Sequence, residues 1–285
     1  MKKILIQLDS DRTASSFDAI AAYDAGVDCI LQYGGVTPDE VVGLVYGAMF
    51  TRSTEDLKNS AVFIGGSSVP KGEAMLKAAK AAFFGPVRVS LMLDANGCNT
   101  TAAAAVAKIR SKGDLKGKKV AVLAGTGPVG LRSAALLARE GALVALSSRS
   151  LARSEAACTS IKERFGVEVS PVEATDAKGT GRVLEDAYAM LCCGAAGALL
   201  APESVWAGPP SLRVLADVNA VPPLGIEGIE SGWDGVEKHG RIIFGAIGIG
   251  GLKMKIHRAS VARLFTRNDL VLDAEEIYAT AKEIE

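Results

Sequence analysis

Gly125, Gly127 and Gly130 stand two and three residues apart in Gly125-Thr126-Gly127-Pro128-Val129-Gly130. The apolar run Val120–Ala124 leads into them, the helix-forming run Leu131–Arg139 follows, and a second apolar run, Ala142–Leu146, comes next. A strand, a glycine turn and a helix in this order form a cradle for an anion. The first glycine permits the tight turn, the second lets backbone approach phosphate, and the third lets the helix pack on the strand. The helix start adds free N–H groups and a partial positive charge. This pattern predicts capture of a dinucleotide pyrophosphate. The end of the second strand then selects the dinucleotide. An NAD site places Asp or Glu about 20 residues after the first glycine, on the ribose hydroxyls. No acid occurs between Glu140 and Glu155; Ser147, Ser148, Arg149, Ser150 and Arg153 fill the segment instead. Hydroxyls and guanidinium groups suit a 2′-phosphate. The segment predicts NADP, with NAD also accepted because nothing here repels it.

Other polar groups collect where strands end. Asp94-Ala95-Asn96-Gly97-Cys98-Asn99-Thr100-Thr101 follows a strand and opens a helix. Its amides and hydroxyls can read a polar heterocycle, although capping and a turn at Asn96-Gly97 account for part of them. Asp18 begins a helix, where a carboxylate also serves as a cap, and Tyr23 lies further along it. Asp217 and Asn219 alternate with apolar residues before Pro222-Pro223, and Asn219 is a candidate for the nicotinamide carboxamide or its ribose. In Gly245–His257 four glycines would let backbone approach a flat ring, and Lys253, Lys255 and His257 fall at the expected start of a helix. Cations there oppose the helix dipole, so Lys253 is expected to hold an anionic or carbonyl-bearing ligand. Lys255 reads as a surface residue and His257 as a packed one. The sequence shows no Tyr-x-x-x-Lys pair, no Ser-His-Asp arrangement and no metal-ligand cluster. Such a site suits a substrate whose oxidised form is a stabilised cation, which needs positioning and electrostatics more than a strong base.

Strands and helices must alternate to place these groups. Strands are expected at Ile4–Leu8, Cys29–Gln32, Ala61–Ile64, Val87–Leu93, Val120–Ala124, Ala142–Leu146, near Val167–Val169, and at Ala189–Cys193, Val214–Val218 and Ile242–Ala246. Helices are expected at Ser15–Ala25, Pro38–Phe50, Gly72–Phe84, Asn99–Ser111, Leu131–Arg139, Leu151–Phe165, Leu252–Phe265 and Ala274–Glu283, with Thr175–Asp186 a polar stretch. This βα alternation predicts an α/β protein with parallel sheets. Two domains are expected: an α/β substrate domain, 1–111, onto which 252–285 folds back, and a Rossmann NADP-binding domain, 112–251, with a parallel sheet. The 285 residues carry 32 basic and 32 acidic side chains, so no charge excess points to nucleic acid. No apolar run is long enough to span a membrane. Five cysteines without a CxxC pair, and no secretory start, predict a reducing cytoplasm.

Six segments carry a more specific resemblance: FDAIAAYDAG, YGGVTPDEV, FFGPVRVSLMLDANGCNTTAAAAVA, LAGTGPVGLRSAALLAREGA, ADVNAVPPLGIEGI and FGAIGIGGLKMKIHRA. With LDAEEIY, they resemble the bacterial NADP-dependent methylene-tetrahydromethanopterin dehydrogenases over essentially the whole chain, least so at 167–210. The resemblance implies a two-domain subunit with its active cleft between domains, a trimer-based homo-oligomer, and hydride transfer from the methylene group of a reduced pterin to NADP. It implies that the 125–130 turn and Arg149 hold NADP, and that Asn96, Asn99, Thr100 and Thr101 lie near the rings. Asp18 and Tyr23 would then face the pterin, and Lys253 would contact substrate as the basic residue of the reaction centre. Competing readings are a methylene-tetrahydrofolate dehydrogenase on the same scaffold, a hydroxy- or amino-acid dehydrogenase, and a non-catalytic NADP-binding protein.

Overall fold

The computed structural model describes residues 1–284, which form two compact units. Unit 1 comprises residues 1–100 and 254–284, and unit 2 comprises residues 101–253. In chain order the elements are β1 (Ile4–Asp9), α1 (Ser16–Asp24), β2 (Cys29–Tyr33), α2 (Pro38–Met49), β3 (Ser60–Gly65), α3 (Val69–Ala81), β4 (Ser90–Leu93) and α4 (Cys98–Arg110). There follow β5 (Lys119–Leu123), α5 (Pro128–Arg139), β6 (Leu143–Ser148), α6 (Leu151–Phe165), β7 (Ser170–Glu173), α7 (Ala177–Leu184) and β8 (Ala187–Cys192). The chain closes with α8 (Glu203–Trp206), β9 (Val214–Asp217), β10 (Asp234–Lys238), β11 (Arg241–Phe244), α9 (Ala246–Arg263), β12 (Val271–Leu272) and α10 (Ala274–Ile284).

Unit 1 has a parallel five-stranded sheet of order β12-β4-β3-β1-β2. Renumbered along the chain this is the flavodoxin-like order 2-1-3-4-5, whose order reverses between β1 and β3. Its inner strands β3 and β4 are largely apolar on both faces, as a parallel sheet covered by helices requires. All of Ser60–Gly65 and Ser90–Leu93 is buried. The one polar side chain of β4, Ser90, donates to Arg267 O at 2.9 Å and accepts from Leu270 N at 3.3 Å. That exchange ties the C-terminal segment to the sheet edge, where Leu91 and Met92 pair with Val271 and Leu272.

Unit 2 has a seven-stranded sheet of order β10-β11-β9-β8-β5-β6-β7. Leaving out β10, this is 6-5-4-1-2-3, the doubly wound dinucleotide-binding order, with its reversal between β5 and β8. All pairs are parallel except β10–β11, an antiparallel hairpin absent from the sequence reading because its strand is exposed and polar. The core under β8 and β9 gathers Leu184, Met190, Trp206, Leu215 and Ile243. Burying each such side chain contributes about 1.5–3 kcal/mol.

Further segments differ from the sequence reading, among them β12 and α8, which it lacked. The strand expected at Val167–Val169 lies at Ser170–Glu173, where Pro171 disguises it. The stretch 175–186 contains α7, which Asp176 starts by accepting from Gly179 N at 2.7 Å. α3 begins at Val69 with Pro70 in its first turn, three residues earlier than expected. α9 begins at Ala246, so the glycine cluster expected as a loop is mostly helical. A Cβ on Gly245 would strike the Glu230 and Ser231 carbonyls, and one on Gly248 the Trp233 carbonyl. Those two glycines serve close packing within the protein, whereas Gly250 and Gly251 face open space.

Candidate active site

In unit 2 the glycine loop follows β5. Ala124 takes a left-handed φ of 50°, a conformation found mostly at constrained sites. Gly125 N donates to Ser147 O at 2.9 Å and Ala124 N to Ser147 Oγ at 3.3 Å, so β6 holds the turn closed. A Cβ on Gly125 would press on Leu146 and Val122, and one on Gly130 would lie 2.5 Å from Gly125 backbone. Gly127 has nothing within 4 Å of its Cβ position. The first and third glycines are therefore demanded by the protein's own packing, and the second is open to a ligand. Pro128, Val129 and Gly130 form the first turn of α5, earlier than the expected start at Leu131. Thr126 is half-buried beside them. These residues fit a pyrophosphate: an open backbone stretch precedes a helix whose first N–H groups have no helical acceptor.

At the end of β6, Ser148 is buried and its Oγ accepts from Ser150 N at 3.4 Å, while Arg149 and Arg153 are exposed. Asn219 is held in its own turn. It is 6% exposed, its Nδ2 donates to Pro223 O at 3.2 Å, and its Oδ1 accepts from Val221 N at 2.9 Å. Its amide shapes the turn after β9. The same turn hangs on buried Asp217, which accepts from Asn219 N at 2.9 Å and Ile226 N at 3.2 Å. Burial pushes the Asp217 carboxyl above its usual range, and the backbone N–H groups of Asn219, Ile226 and Gly225 hold it back.

In unit 1 the strand ends at the reversal are level, because Asp9 pairs with Gly65 and Ile64 with Leu93. Asp9 is buried and accepts from Asp11 N at 2.8 Å and Ser15 N at 3.0 Å. A Cβ on Gly65 would lie 3.4 Å from Asp18 Oδ2 and 3.6 Å from Asp9 Oδ2, so two carboxylates flank one bare glycine. Tyr23 is 53% exposed, and five residues along a helix place it about 140° from Asp18. These two expected partners are not brought onto one face. At the end of β4, Asp94 Oδ1 accepts from Asn99 N at 2.9 Å and Thr100 N at 3.0 Å, and its Oδ2 accepts from Thr100 Oγ1 at 2.6 Å. Asn99 Nδ2 donates to Leu93 O at 2.6 Å and Asp273 Oδ1 at 2.8 Å. Asn99 and Thr100 are fully buried, so they brace the loop instead of lining a surface, contrary to expectation. Asn96 is exposed at φ 53°, and Thr101 is half-buried.

One residue was undervalued in the sequence, and His257 is packed as expected. Asp94 organises the β4 loop, and its place at the strand end, five residues before Asn99-Thr100, was the available signal. His257 is 1% exposed, with its ring 5.6 Å from Phe63 and 6.4 Å from Phe17. Its Nδ1 lies 3.5 Å from Asp94 Oδ2, too far and too poorly aligned for a hydrogen bond. Lys253 is half-buried and seven residues past the first residue of α9. The dipole argument for it therefore fails, since the N-terminal field fades within one turn. No group of three or more His, Cys, Asp or Glu residues suited to a metal occurs among the described residues.

Comparison with known proteins places this geometry in a family. A family model for the N-terminal part of methylene-tetrahydromethanopterin dehydrogenase matches residues 16–96. The NAD(P)-dependent methylenetetrahydromethanopterin dehydrogenase of Methylorubrum extorquens is 32% identical over 293 aligned positions, covering 99% of each chain. The chain belongs to the methylene-tetrahydromethanopterin dehydrogenase family. A second protein of that organism, the bifunctional protein MdtA, is 49% identical over 285 positions, again covering 99% of each chain. A crystal structure of a shikimate 5-dehydrogenase from Mycobacterium fortuitum aligns over 98% of each chain with a TM-score of 0.54. At 15% identity that likeness shows a shared Rossmann-type fold alone. In each unit one group of candidate residues follows a strand at the order reversal: Asp18 after β1 and residues 125–130 after β5.

Proposed function

We propose that this protein is an NAD(P)-dependent methylene-tetrahydromethanopterin dehydrogenase of one-carbon metabolism. The observation that carries the reading is the full-length match to an enzyme of that name. A methylene carbon held between two nitrogens can give up a hydride without losing a proton, because the positive charge left on it is shared by both nitrogens. The site accordingly has to align two rings and exclude water, and needs no strong base. NADP, when bound, supplies the hydride acceptor.

The backbone of residues 125–130 would hold the pyrophosphate, with Arg149 and Arg153 gripping a 2′-phosphate and Ser148 shaping their strand end. In unit 1, Asp18 beside Gly65, with Asn96, would take the polar edge of the pterin. Tyr23 and Thr101 complete the proposed substrate contacts, and Asn99 and Thr100 hold the loop through Asp94. Lys253 would contact a carbonyl or anionic group of the substrate. We further infer a trimer-based homo-oligomer in the cytoplasm. Exposed Phe50 and Phe84 around half-buried Tyr46, with ring centroids 5.4–6.3 Å apart, and the open edge of β2 support self-association. Five free cysteines suit a reducing compartment, and no helix among the described residues is long and apolar enough to cross a membrane.

Mixing the protein with methylene-tetrahydromethanopterin and NADP, then following NADPH and methenyl product by absorbance, tests the reading. Turnover is expected with NADP and to a lesser degree with NAD. Absence of turnover alongside measurable NADP binding would discard the one-carbon assignment, and faster turnover of the folate analogue would move it to that carrier.

A further inference from the structure

The segment after β6 lacks an acid, yet the fold brings one there. Ser148 pairs with Glu173 in the parallel register of β6 and β7, and Ala174 N donates to Ser148 O at 2.8 Å. From that position Glu173 Oε1 accepts from Leu151 N at 3.2 Å, directly after Ser148-Arg149-Ser150. In a doubly wound sheet the end of this second strand is where the adenine ribose lies. A carboxylate that other NAD sites carry on the second strand is supplied here by the third.

We propose that Glu173 sets how strongly this protein discriminates between NADP and NAD. Its carboxylate offers an acceptor to the ribose hydroxyls of NAD. Against NADP it places negative charge near the 2′-phosphate and occupies the Leu151 N–H that the phosphate would otherwise use. Arg149 and Arg153 act in the opposite direction, since guanidinium groups grip phosphate and not a ribose hydroxyl pair. Cofactor choice is thus a contest between two exposed arginines, Arg149 after β6 and Arg153 on α6, and an exposed glutamate on β7. The inference rests on reading unit 2 as the dinucleotide site and is independent of the pterin reaction.

The test uses the full chain and binding alone. Glu173→Gln keeps an acceptor for Leu151 N–H and removes the charge, and Glu173→Lys reverses it. Dissociation constants for NADPH and NADH are read from nicotinamide fluorescence, and those for 2′,5′-ADP and 5′-AMP by calorimetry. The NADH-to-NADPH ratio of dissociation constants is expected to rise about five- to tenfold in the Gln variant and further in the Lys variant. Binding of 2′,5′-ADP should tighten by a similar factor while 5′-AMP does not tighten. A ratio that stays unchanged or falls in both variants overturns the proposal. Failure of the unaltered protein to bind either dinucleotide would overturn the cofactor reading along with it. Failure of pterin turnover, with the ratio shifted as expected, would remove only the one-carbon reading.

Discussion

Arg149 and Lys253 divide the proposed chemistry between cofactor and substrate, and each can be removed alone. Both charges are carried on side chains at least partly open to solvent. Arg149→Ala should weaken NADPH by roughly 10- to 100-fold, the worth of a charge-assisted bond to phosphate, and leave NADH within a few-fold. Equal losses for both nucleotides, measured by fluorescence titration, would end the 2′-phosphate role. Lys253→Ala should lower kcat/KM by about 100-fold through lost transition-state contact while the NADPH dissociation constant stays put. Unchanged turnover in a steady-state assay would take Lys253 out of the reaction centre. At this scale the sequence was legible where spacing reports a backbone need. Gly125 and Gly130 are required by contacts with Val122, Leu146 and each other, and their separation betrayed it. The sequence did not show what the side chains of Asn99, Thr100 and Asn219 bond to. A polar side chain at a strand end looks the same in sequence whether it meets a ligand or its own backbone, and only the partners Leu93, Asp94 and Pro223 distinguish the two.

Elements decide which of these side chains arrive together. The turn from Val218 to Ile226 has no regular structure and is gathered by one buried carboxylate, Asp217. Because burial raises its folded-state pKa above the unfolded value near 3.8, its contribution to stability is fully present below 3.8 and is lost as pH rises through the folded value. Asp217→Asn removes that titration. The stability of the natural protein relative to this variant should therefore grow as pH falls from neutrality toward 3.8, as read from urea unfolding at a series of pH values. A flat difference would show that Asp217 titrates alike in folded and unfolded chains. Elements with clear apolar periodicity were legible, and β5, α5 and α6 fall within a few residues of expectation. α7 and β7 were not, because two glycines and a proline lie inside them and tertiary contacts overrode local propensity. The misplacement of β7 hid Glu173 from the reading of cofactor choice.

Taken whole, the molecule separates its two proposed binding functions into two sheets with different strand orders. Hydrogen exchange should report this separation. NADPH alone is expected to slow exchange at 124–131 and 147–153, and methylene-tetrahydromethanopterin alone at 10–18, 65–67 and 95–98. Protection by NADPH confined to unit 1 would contradict the assignment of the nucleotide to the 3-2-1-4-5-6 sheet. The βα alternation made the fold class legible, but neither strand order was, since pairing joins residues far apart in the chain. The smallest strand shows this most sharply. Val271 and Leu272 complete the sheet that begins at Ile4, although the whole of the second unit lies between them in the sequence. During synthesis a ribosome therefore delivers all of residues 101–253 while β4 still waits for its outer neighbour. The nucleotide half can close as soon as it emerges, whereas the half that starts first must finish last, with the Leu91–Met92 edge bare for the time taken to translate more than half the chain.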